Sequence, residues 1–99
     1  MQYELQSTEH FDKWLAKVKV RQLRARIVRR IDCMVIGVFG DCKTINTNLF
    51  ELRLFFGPGY RVYYTINKKR IIFLLAGGAK STQPKDIEKA LALLKTLEE

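Results

Sequence analysis

Histidine and cysteine are scarce in this sequence, and their scarcity excludes several kinds of active site. The chain has one histidine, His10, and two cysteines, Cys33 and Cys42. The cysteines lack the spacing of a metal or redox motif, so we expect reduced thiols, with a disulfide between them as the alternative. A Ser-His-Asp or Cys-His arrangement would have to use His10, and no nucleophile motif accompanies it. The acidic residues are scattered without ligand spacing, so the sequence predicts no metal site and a surface position for His10.

Long apolar segments are also missing. The longest apolar run, Ile71 to Ala79, suits a buried strand and falls well short of the roughly 18 residues of a membrane span. Met1 to Leu15 contains acids and no apolar leader. The glycines of Gly57-Pro58-Gly59 and Gly77-Gly78 have neither phosphate-loop nor dinucleotide spacing, so we interpret them as turn residues and expect no cofactor. These features predict a cytoplasmic protein without a membrane partner.

The composition is that of one basic globular domain. The chain has 99 residues, of which 47% are hydrophobic, so residues 1–99 are expected to form a single domain with its own core. Eighteen lysines and arginines against ten acids give a formal charge of +8. Such a domain is attracted to polyphosphates or to an acidic protein partner, unless the charge serves only to keep the surface soluble.

A hairpin between Glu51 and Tyr64 organises the rest of the prediction. Two runs of aromatic and branched residues flank the turn Gly57-Pro58-Gly59. With a three-residue loop, the numbers of paired residues sum to about 116, which places Arg53 opposite Tyr63 and Arg61 on the diagonal. Even positions form an apolar face. The odd positions form a polar face that we predict to be the working surface of the protein; its members are Glu51, Arg53, Phe55, Arg61, Tyr63 and Thr65.

Hydrophobic spacing before the hairpin predicts one strand and two helices. Residues 2–6 alternate as a short strand, and Ser7 or Thr8 can cap the helix that follows. The apolar stripe of that helix loses its phase around residues 19–21, which indicates two helices in a hairpin. The second helix is followed by Gly40-Asp41 and by a strand predicted over 43–47.

The segment after the hairpin predicts one central strand and a final helix. Asn67-Lys68-Lys69 forms a turn into a strand over 70–76, which is apolar on both faces and should be covered by helices. Gly77-Gly78 is expected to end this strand, and residues 79–83 to form a loop. Pro84 starts the last helix. The predicted fold class is therefore α+β, ordered β-α-α-β-β-β-β-α, with an N-terminal helical hairpin on a mostly antiparallel sheet and a C-terminal helix.

The residue types that remain favour phosphate chemistry without a metal. Arg53, Arg61 and Lys80 could converge on a phosphate whose charge grows during the reaction. RNA supplies its own nucleophile, the 2′-hydroxyl, so the protein needs only proton transfer, for which Glu51, Lys80 and Tyr63 are candidates. Tyr63 could instead stack on a base, and Arg53 could simply pair with Glu51 or Tyr63 across the strands. Further RNA contacts are predicted for Lys43, Gln83 and Lys85.

Three strings, in order along the chain, resemble a known family. They are Leu49 to Arg53, Gly57 to Tyr64 and Leu74 to Ile87, with additional similarity at Phe11 to Leu15 and Phe39 to Lys43. The sequence resembles the addiction-module killer proteins, which are HigB-like or phage Gp49-like toxins of the RelE/ParE superfamily. The resemblance implies the RelE/ParE-like fold and a type II toxin held inactive by an antitoxin protein, in a hetero-oligomer with it. It also implies cleavage of messenger RNA in the ribosomal A site without a cofactor.

The resemblance carries over to individual residues with some departures. Arg61 matches the arginine of the RelE-type Tyr-Arg motif, Arg53 stands at a basic position of the preceding strand, and Lys80 falls in the basic loop before the last helix. Glu51, however, occupies a position that is lysine in RelE, and Ile87 falls near a catalytic tyrosine. The histidines of HigB toxins have no equivalents here. The general base is therefore left unassigned.

Two further functions fit the same sequence. A ParE-like toxin would act on DNA gyrase by protein binding, and a non-catalytic module would bind RNA or protein through its basic surfaces. The second predicted helix carries several arginines that are either a solvated face, an RNA contact or an antitoxin contact. The predicted antitoxin-binding residues are Arg24, Arg26 and Arg29, with Arg53 and Arg61 as the alternative place for the antitoxin.

Overall fold

The fold is a five-stranded sheet between two helical layers. The computed structural model describes residues 2–98. The elements, in chain order, are β1 (Glu4–Ser7), α1 (Glu9–Ala16), α2 (Arg21–Val35), β2 (Cys42–Thr44), β3 (Phe50–Arg53), β4 (Tyr60–Asn67), β5 (Ile71–Ala79), a 3-10 turn (Lys80–Thr82) and α3 (Gln83–Glu98). The strands lie in the order β1-β5-β4-β3-β2. Only β1 pairs in parallel, with β5, among the described strands. The predicted α+β class and element order are confirmed.

The helical hairpin forms as the apolar stripes predicted. Thr8 caps α1 by accepting a hydrogen bond from the backbone N–H of Phe11 at 3.0 Å. Residues 17–20 separate α1 from α2 without any glycine or proline. The two helices bury their apolar stripes against the even positions of the central hairpin. The core of this face contains Phe11, Val18, Ile27, Ile31, Met34, Leu52, Leu54, Val62, Tyr64, Ile72 and Leu74.

The opposite face of the sheet is covered by α3. Its core joins Tyr63 and Leu75 of the sheet to Ala90 and Leu94 of the helix. The odd face of the hairpin is therefore largely buried, with exposed fractions of 1% for Glu51, 0% for Tyr63 and 7% for Arg61. Much of the predicted working surface is therefore covered, because the last helix packs directly over it. The predicted cover of β5 by helices is confirmed, since both α1 and α3 contact it.

The register of the β3–β4 hairpin differs from the prediction by two residues. Arg53 pairs with Arg61, and Glu51 pairs with Tyr63. The N–H of Leu54 donates to the carbonyl of Tyr60 at 3.0 Å, so the loop runs from Phe55 to Gly59 and has five residues rather than three. A shift of two residues keeps every side chain on its own face of the sheet. The predicted division of the hairpin into two faces is therefore confirmed. The residue that pairs with each arginine differs from the prediction.

Gly77 and Gly78 lie inside β5 and do not end it. A Cβ atom on Gly77 would overlap the ring of Trp14 in α1, and one on Gly78 would overlap the carboxylate of Asp86 in α3. The two glycines thus allow both helical layers to approach the sheet closely. The strand ends at Ala79, and the predicted loop after it is the 3-10 turn, with Pro84 as the second residue of α3.

The remaining connections follow their turn residues. The side-chain oxygen of Asn46 accepts hydrogen bonds from the N–H groups of Asn48 and Leu49, so the chain turns here. The strand β2 consequently ends at Thr44, three residues before the predicted end at residue 47. Lys68 and Lys69 both have positive φ in the predicted turn before β5, as a two-residue hairpin turn of type I′ requires. Cys33 and Cys42 are free thiols. Within residues 2–98, no helix is long and apolar enough to cross a membrane.

Candidate active site

Two rows of side chains cross the sheet beneath the start of α3. One row contains Arg53 and Arg61 and continues to Gly78 on β5. The next row contains Lys43, Glu51 and Tyr63 and continues to Ala76. Residues two apart on a strand share a face, so the two rows lie side by side on the α3 face. The hairpin therefore brings together four of the predicted catalytic residues.

Arg53 is held at the surface by an aspartate that sequence analysis did not assign to the site. Its Nη2 atom lies 2.9 Å from Oδ1 of Asp41, and its Nε atom also donates to that oxygen at 3.3 Å. The predicted alternative of a pair with Glu51 or Tyr63 is wrong. About a third of each side chain is exposed, so the ion pair is only weakly stabilising and is accessible to a competing anion.

Arg61 is more buried and is oriented by backbone groups. Its Nη1 atom donates to the carbonyls of Gly59 and Tyr60 at 3.2 and 3.3 Å. Its Nε atom lies 3.9 Å from Oε1 of Glu51, which is an ion-pair distance but too long for a hydrogen bond. The positive φ of Gly59 allows the chain to curl so that its carbonyl meets this guanidinium. Arg61 is thus positioned before any ligand binds.

Glu51 is buried under α3 and contacts other protein groups. Its Oε2 atom accepts a hydrogen bond of 2.6 Å from Nε2 of Gln83, the first residue of α3. Its Oε1 atom has no hydrogen-bond partner within residues 2–98. A carboxylate this deeply buried favours a nearby cation, because removing the charge from water is costly. The carboxylate of Glu51 therefore lies between Gln83 and Arg61, hydrogen-bonded to the first and within ion-pair distance of the second.

Tyr63 lies in the core beside this carboxylate. Its ring is fully buried, so a base could not stack on it in this arrangement. Its hydroxyl has no hydrogen-bond partner in the part of the chain that the structure describes. Burial raises the pKa of Tyr63 well above its usual range, and the negative charge of Glu51 adds to the shift. The phenol consequently keeps its proton at neutral pH and is not a general base there.

The predicted lysines are all exposed, and Lys80 lies beside Arg61. Lys80 begins the 3-10 turn after β5 and is exposed. A Cβ atom on Gly59 would lie 3.3 Å from Cβ of Lys80 and 3.7 Å from Nη1 of Arg61, so both side chains pass close to this glycine. Lys43 is exposed on the edge strand β2, and Lys85 is exposed in the first turn of α3. The backbone therefore places three cationic residues, Arg53, Arg61 and Lys80, close together at this end of the hairpin.

An exposed aromatic ring belongs to the same surface, and sequence analysis gave it no role of its own. Phe55 is 71% exposed. Its ring centroid lies 5.7 Å from Cζ of Arg53 and 6.0 Å from Cζ of Arg61. The signal in the sequence was its place at the next odd position after Arg53, but only the five-residue loop reveals that it stays uncovered.

The arginines predicted to bind an antitoxin do not share one surface. Nη1 of Arg24 donates to the carbonyl of Val18 at 2.9 Å, on the side of α2 that faces a groove beside α1. Arg26 instead stacks over the ring of Phe56, with 4.0 Å between Cζ and the ring centroid. Arg29 borders both regions. His10 is exposed in α1, and among residues 2–98 no three His, Cys, Asp or Glu side chains are grouped to hold a metal ion.

Comparison with known structures first defines the class of fold. An arginine-substituted mutant of the E. coli toxin RelE in the free state superposes with a TM-score of 0.74 at 16% identity, covering 93% of this chain and 97% of that one. The same type of RelE mutant in complex with a peptide of the antitoxin RelB gives 0.65 at 14% identity, covering 86% and 94%. The intact E. coli RelBE toxin–antitoxin complex gives 0.53 at 21% identity, covering 78% and 95%. The chain has the RelE fold.

Sequence comparison then gives the family. Residues 13–95 match the family described as phage derived protein Gp49-like (DUF891), and the chain belongs to this family. A relative from Haemophilus influenzae, an uncharacterized protein, is 43% identical over 97 residues, which cover 98% of each chain. The predicted relationship to Gp49-like proteins is confirmed, as is the predicted RelE-like fold.

Proposed function

We propose that this protein is the toxin of a toxin–antitoxin pair and that it is an endoribonuclease acting on translated messenger RNA in the ribosomal A site. The RelE fold and the Gp49-like family support the toxin class. The observation that carries the nuclease proposal is the pairing of Arg53 with Arg61 across β3 and β4, with Lys80 beside them. Two guanidinium groups on one sheet face can hold a phosphate from two sides.

In the proposed reaction the protein mainly stabilises charge. The 2′-oxygen of the RNA attacks phosphorus, the bond to the 5′-oxygen breaks, and a 2′,3′-cyclic phosphate and a 5′-hydroxyl form. Arg53 and Arg61 bind the phosphate oxygens as negative charge grows on them, which is worth about 3–4 kcal/mol for one well-placed donor. The proton of the 2′-hydroxyl passes to water, and the ammonium of Lys80 protonates the departing 5′-oxygen.

Glu51 has a supporting role in this proposal. It lies within ion-pair distance of Arg61 and is itself fixed by Gln83. Asp41 occupies Arg53 until a phosphate replaces it, at little cost because the pair is partly exposed. Lys43 and Lys85 would contact RNA on either side of the cleaved bond. In this proposal, Arg53, Arg61 and Lys80 are the residues that contact the substrate.

The test is induction of the wild type and of Arg61→Ala in cells without antitoxin, followed by mapping of new RNA 5′ ends. We expect new ends inside translated codons with the wild type and none with Arg61→Ala. Arg70→Ala is the matched control, because it removes an exposed arginine in the turn before β5 and should cleave as the wild type does. Growth arrest without new ends would contradict the nuclease proposal and favour a gyrase-type target.

We further propose that an acidic, amphipathic segment of the antitoxin binds the groove beside α1 and α2. The groove has a volume of about 770 Å³ and combines apolar and cationic side chains. Its lining residues are Leu15, Arg21, Arg24, Ala25, Val28, Arg29 and Asp32. Three arginines and one aspartate line the groove, so its net charge is positive. This charge complements an antitoxin segment whose acidic residues flank an apolar stripe.

The groove can be tested by charge reversal. Arg24→Glu combined with Arg29→Glu should weaken binding of the antitoxin encoded beside the gene by about tenfold or more, measured by calorimetric titration. Arg26→Glu lies on the other side of α2 and should have a smaller effect, as should Arg70→Glu. Equal loss of affinity for the Arg26 variant would exclude the groove as the specific site.

A further inference from the structure

We propose that Phe55 is a stacking platform for one base of single-stranded RNA, next to the phosphate held by Arg53 and Arg61. This inference rests on the proposed nuclease function and names how the same site recognises its substrate. The ring of Phe55 is 71% exposed, although the ring of Phe56 beside it packs against Tyr60 and the core. The loop therefore leaves one large apolar side chain in water.

The surroundings of Phe55 match a nucleotide. The guanidinium carbons of Arg53 and Arg61 lie 5.7 and 6.0 Å from its ring centroid. A base stacked on the ring would consequently have its own phosphate within reach of these cations. Aromatic rings beside a cationic track are a common way to bind single strands, because every base has a face that can stack.

A cavity lined by further basic residues adjoins Phe55. A cavity of about 330 Å³ lies between the hairpin loop and α2, lined by Arg26, Arg29, Arg30, Phe55 and Phe56. Arg30 is engaged with the carbonyl of Phe39 at 3.1 Å, and Arg26 lies over Phe56. None of the described residues that line the cavity is acidic. A neighbouring phosphate of the same strand would therefore meet positive charge on this side of Phe55 as well.

These neighbours favour RNA over a protein anchor. A protein partner that inserted an apolar side chain would need a contiguous apolar surface, whereas Phe55 has the guanidinium groups of Arg53 and Arg61 beside its ring and lines a cavity with three further arginines. An exposed ring among several cations instead fits the bases and phosphates of a nucleic-acid strand. The chemistry that this surface recognises is thus an unpaired base between two phosphates.

The experiment measures binding of a fluorescently labelled short single-stranded RNA at low salt by anisotropy. Phe55→Ala should weaken binding roughly 5- to 150-fold, the range expected for loss of one base–aromatic stack. Phe55→Trp should bind at least as well as the wild type. All three proteins should unfold at the same temperature because the side chain is exposed. An RNA that lacks its central base should reduce the difference between the wild type and Phe55→Ala.

The outcomes separate this inference from the nuclease proposal. If the wild type cleaves RNA and Phe55→Ala binds and cleaves equally well, the platform is excluded and the nuclease proposal stands. If RNA binding depends on Phe55 but induction produces no new 5′ ends, the platform stands and cleavage is excluded. Unchanged RNA binding with lost antitoxin affinity would make Phe55 a protein anchor and overturn the inference. Absence of measurable RNA binding by the wild type would overturn it too.

Discussion

The two faces of the sheet are built from the same strands but serve different purposes. The face toward α1 and α2 is apolar throughout its centre, with Leu52, Leu54 and Val62 fully buried. The face toward α3 buries Glu51, Arg61 and Tyr63 with three polar atoms that lack hydrogen-bond partners within residues 2–98. Buried polar groups of this kind cost stability. We infer that the apolar face contributes most of the free energy of folding. The α3 face contributes less, because holding Arg61 in place requires buried polar atoms.

The largest effect on stability should come from the apolar face. Leu52→Ala removes a fully buried side chain between α2 and the hairpin, so the free energy of unfolding should fall by about 2–5 kcal/mol. Denaturant unfolding measures this. Leu97→Ala is the matched control, because 42% of that side chain is exposed and the loss should stay below about 1 kcal/mol. Equal losses would contradict the assignment of the core.

Alanine at the two glycines of β5 compares the faces directly. Gly77→Ala should lower the free energy of unfolding by about 1–3 kcal/mol, because the added methyl group meets the ring of Trp14 within the packed apolar face. Gly78→Ala should cost less, since the carboxylate of Asp86 can turn aside. Thermal unfolding of both variants measures the difference. A larger loss for Gly78 would show that the α3 face is the more rigid one.

Neutralising Glu51 should separate stability from activity. Glu51→Gln keeps the shape of the side chain but leaves the nearly buried Arg61 without its nearby negative charge. We expect the free energy of unfolding to fall by about 1–3 kcal/mol. Cleavage by the folded fraction should fall less than it does in Arg61→Ala. If Glu51→Gln unfolds like the wild type yet loses all cleavage, Glu51 is a general base rather than a support.

The buried phenol predicts a pH dependence of stability. Burial raises the pKa of Tyr63 in the folded state above its unfolded value of about 10. The protonated phenol therefore contributes its full share to the free energy of unfolding below pH 10, and this share is lost as the pH rises above 10. Tyr64 contributes in the same direction, because burial raises its pKa too. Tyr63→Phe should therefore lose less stability between pH 9 and 11 than the wild type, by about 1.4 kcal/mol at most. Parallel pH profiles would contradict this.

Much of the fold followed from local pattern. The apolar stripes of α1 and α2, the phase slip between them and the asparagine turns each depend on neighbouring residues, so the sequence was sufficient to predict them. The same holds for the two faces of the hairpin, because parity along a strand fixes them whatever the register. The resemblance to Gp49-like proteins added the fold as a whole.

What could not be predicted depends on tertiary contacts. The glycines at 57 and 59 indicate a turn but not its length, and the pairing of Arg53 with Arg61 followed from that length. The stripe of α3 indicates a buried side but not which face of the sheet it covers, so Glu51 and Tyr63 were predicted to lie on the working surface. Gly77-Gly78 was interpreted as a stop because the approach of Trp14 and Asp86 is not visible in the sequence.

The most direct test of the central claim is a double-mutant cycle on the arginine pair. Purified Arg53→Ala, Arg61→Ala and the double variant would be compared with the wild type in single-turnover cleavage of messenger RNA on programmed ribosomes. If both arginines hold one phosphate, each single change should slow cleavage about 10²- to 10³-fold, and the double change should cost clearly less than the product. Cleavage at the wild-type rate in either single variant would contradict the account.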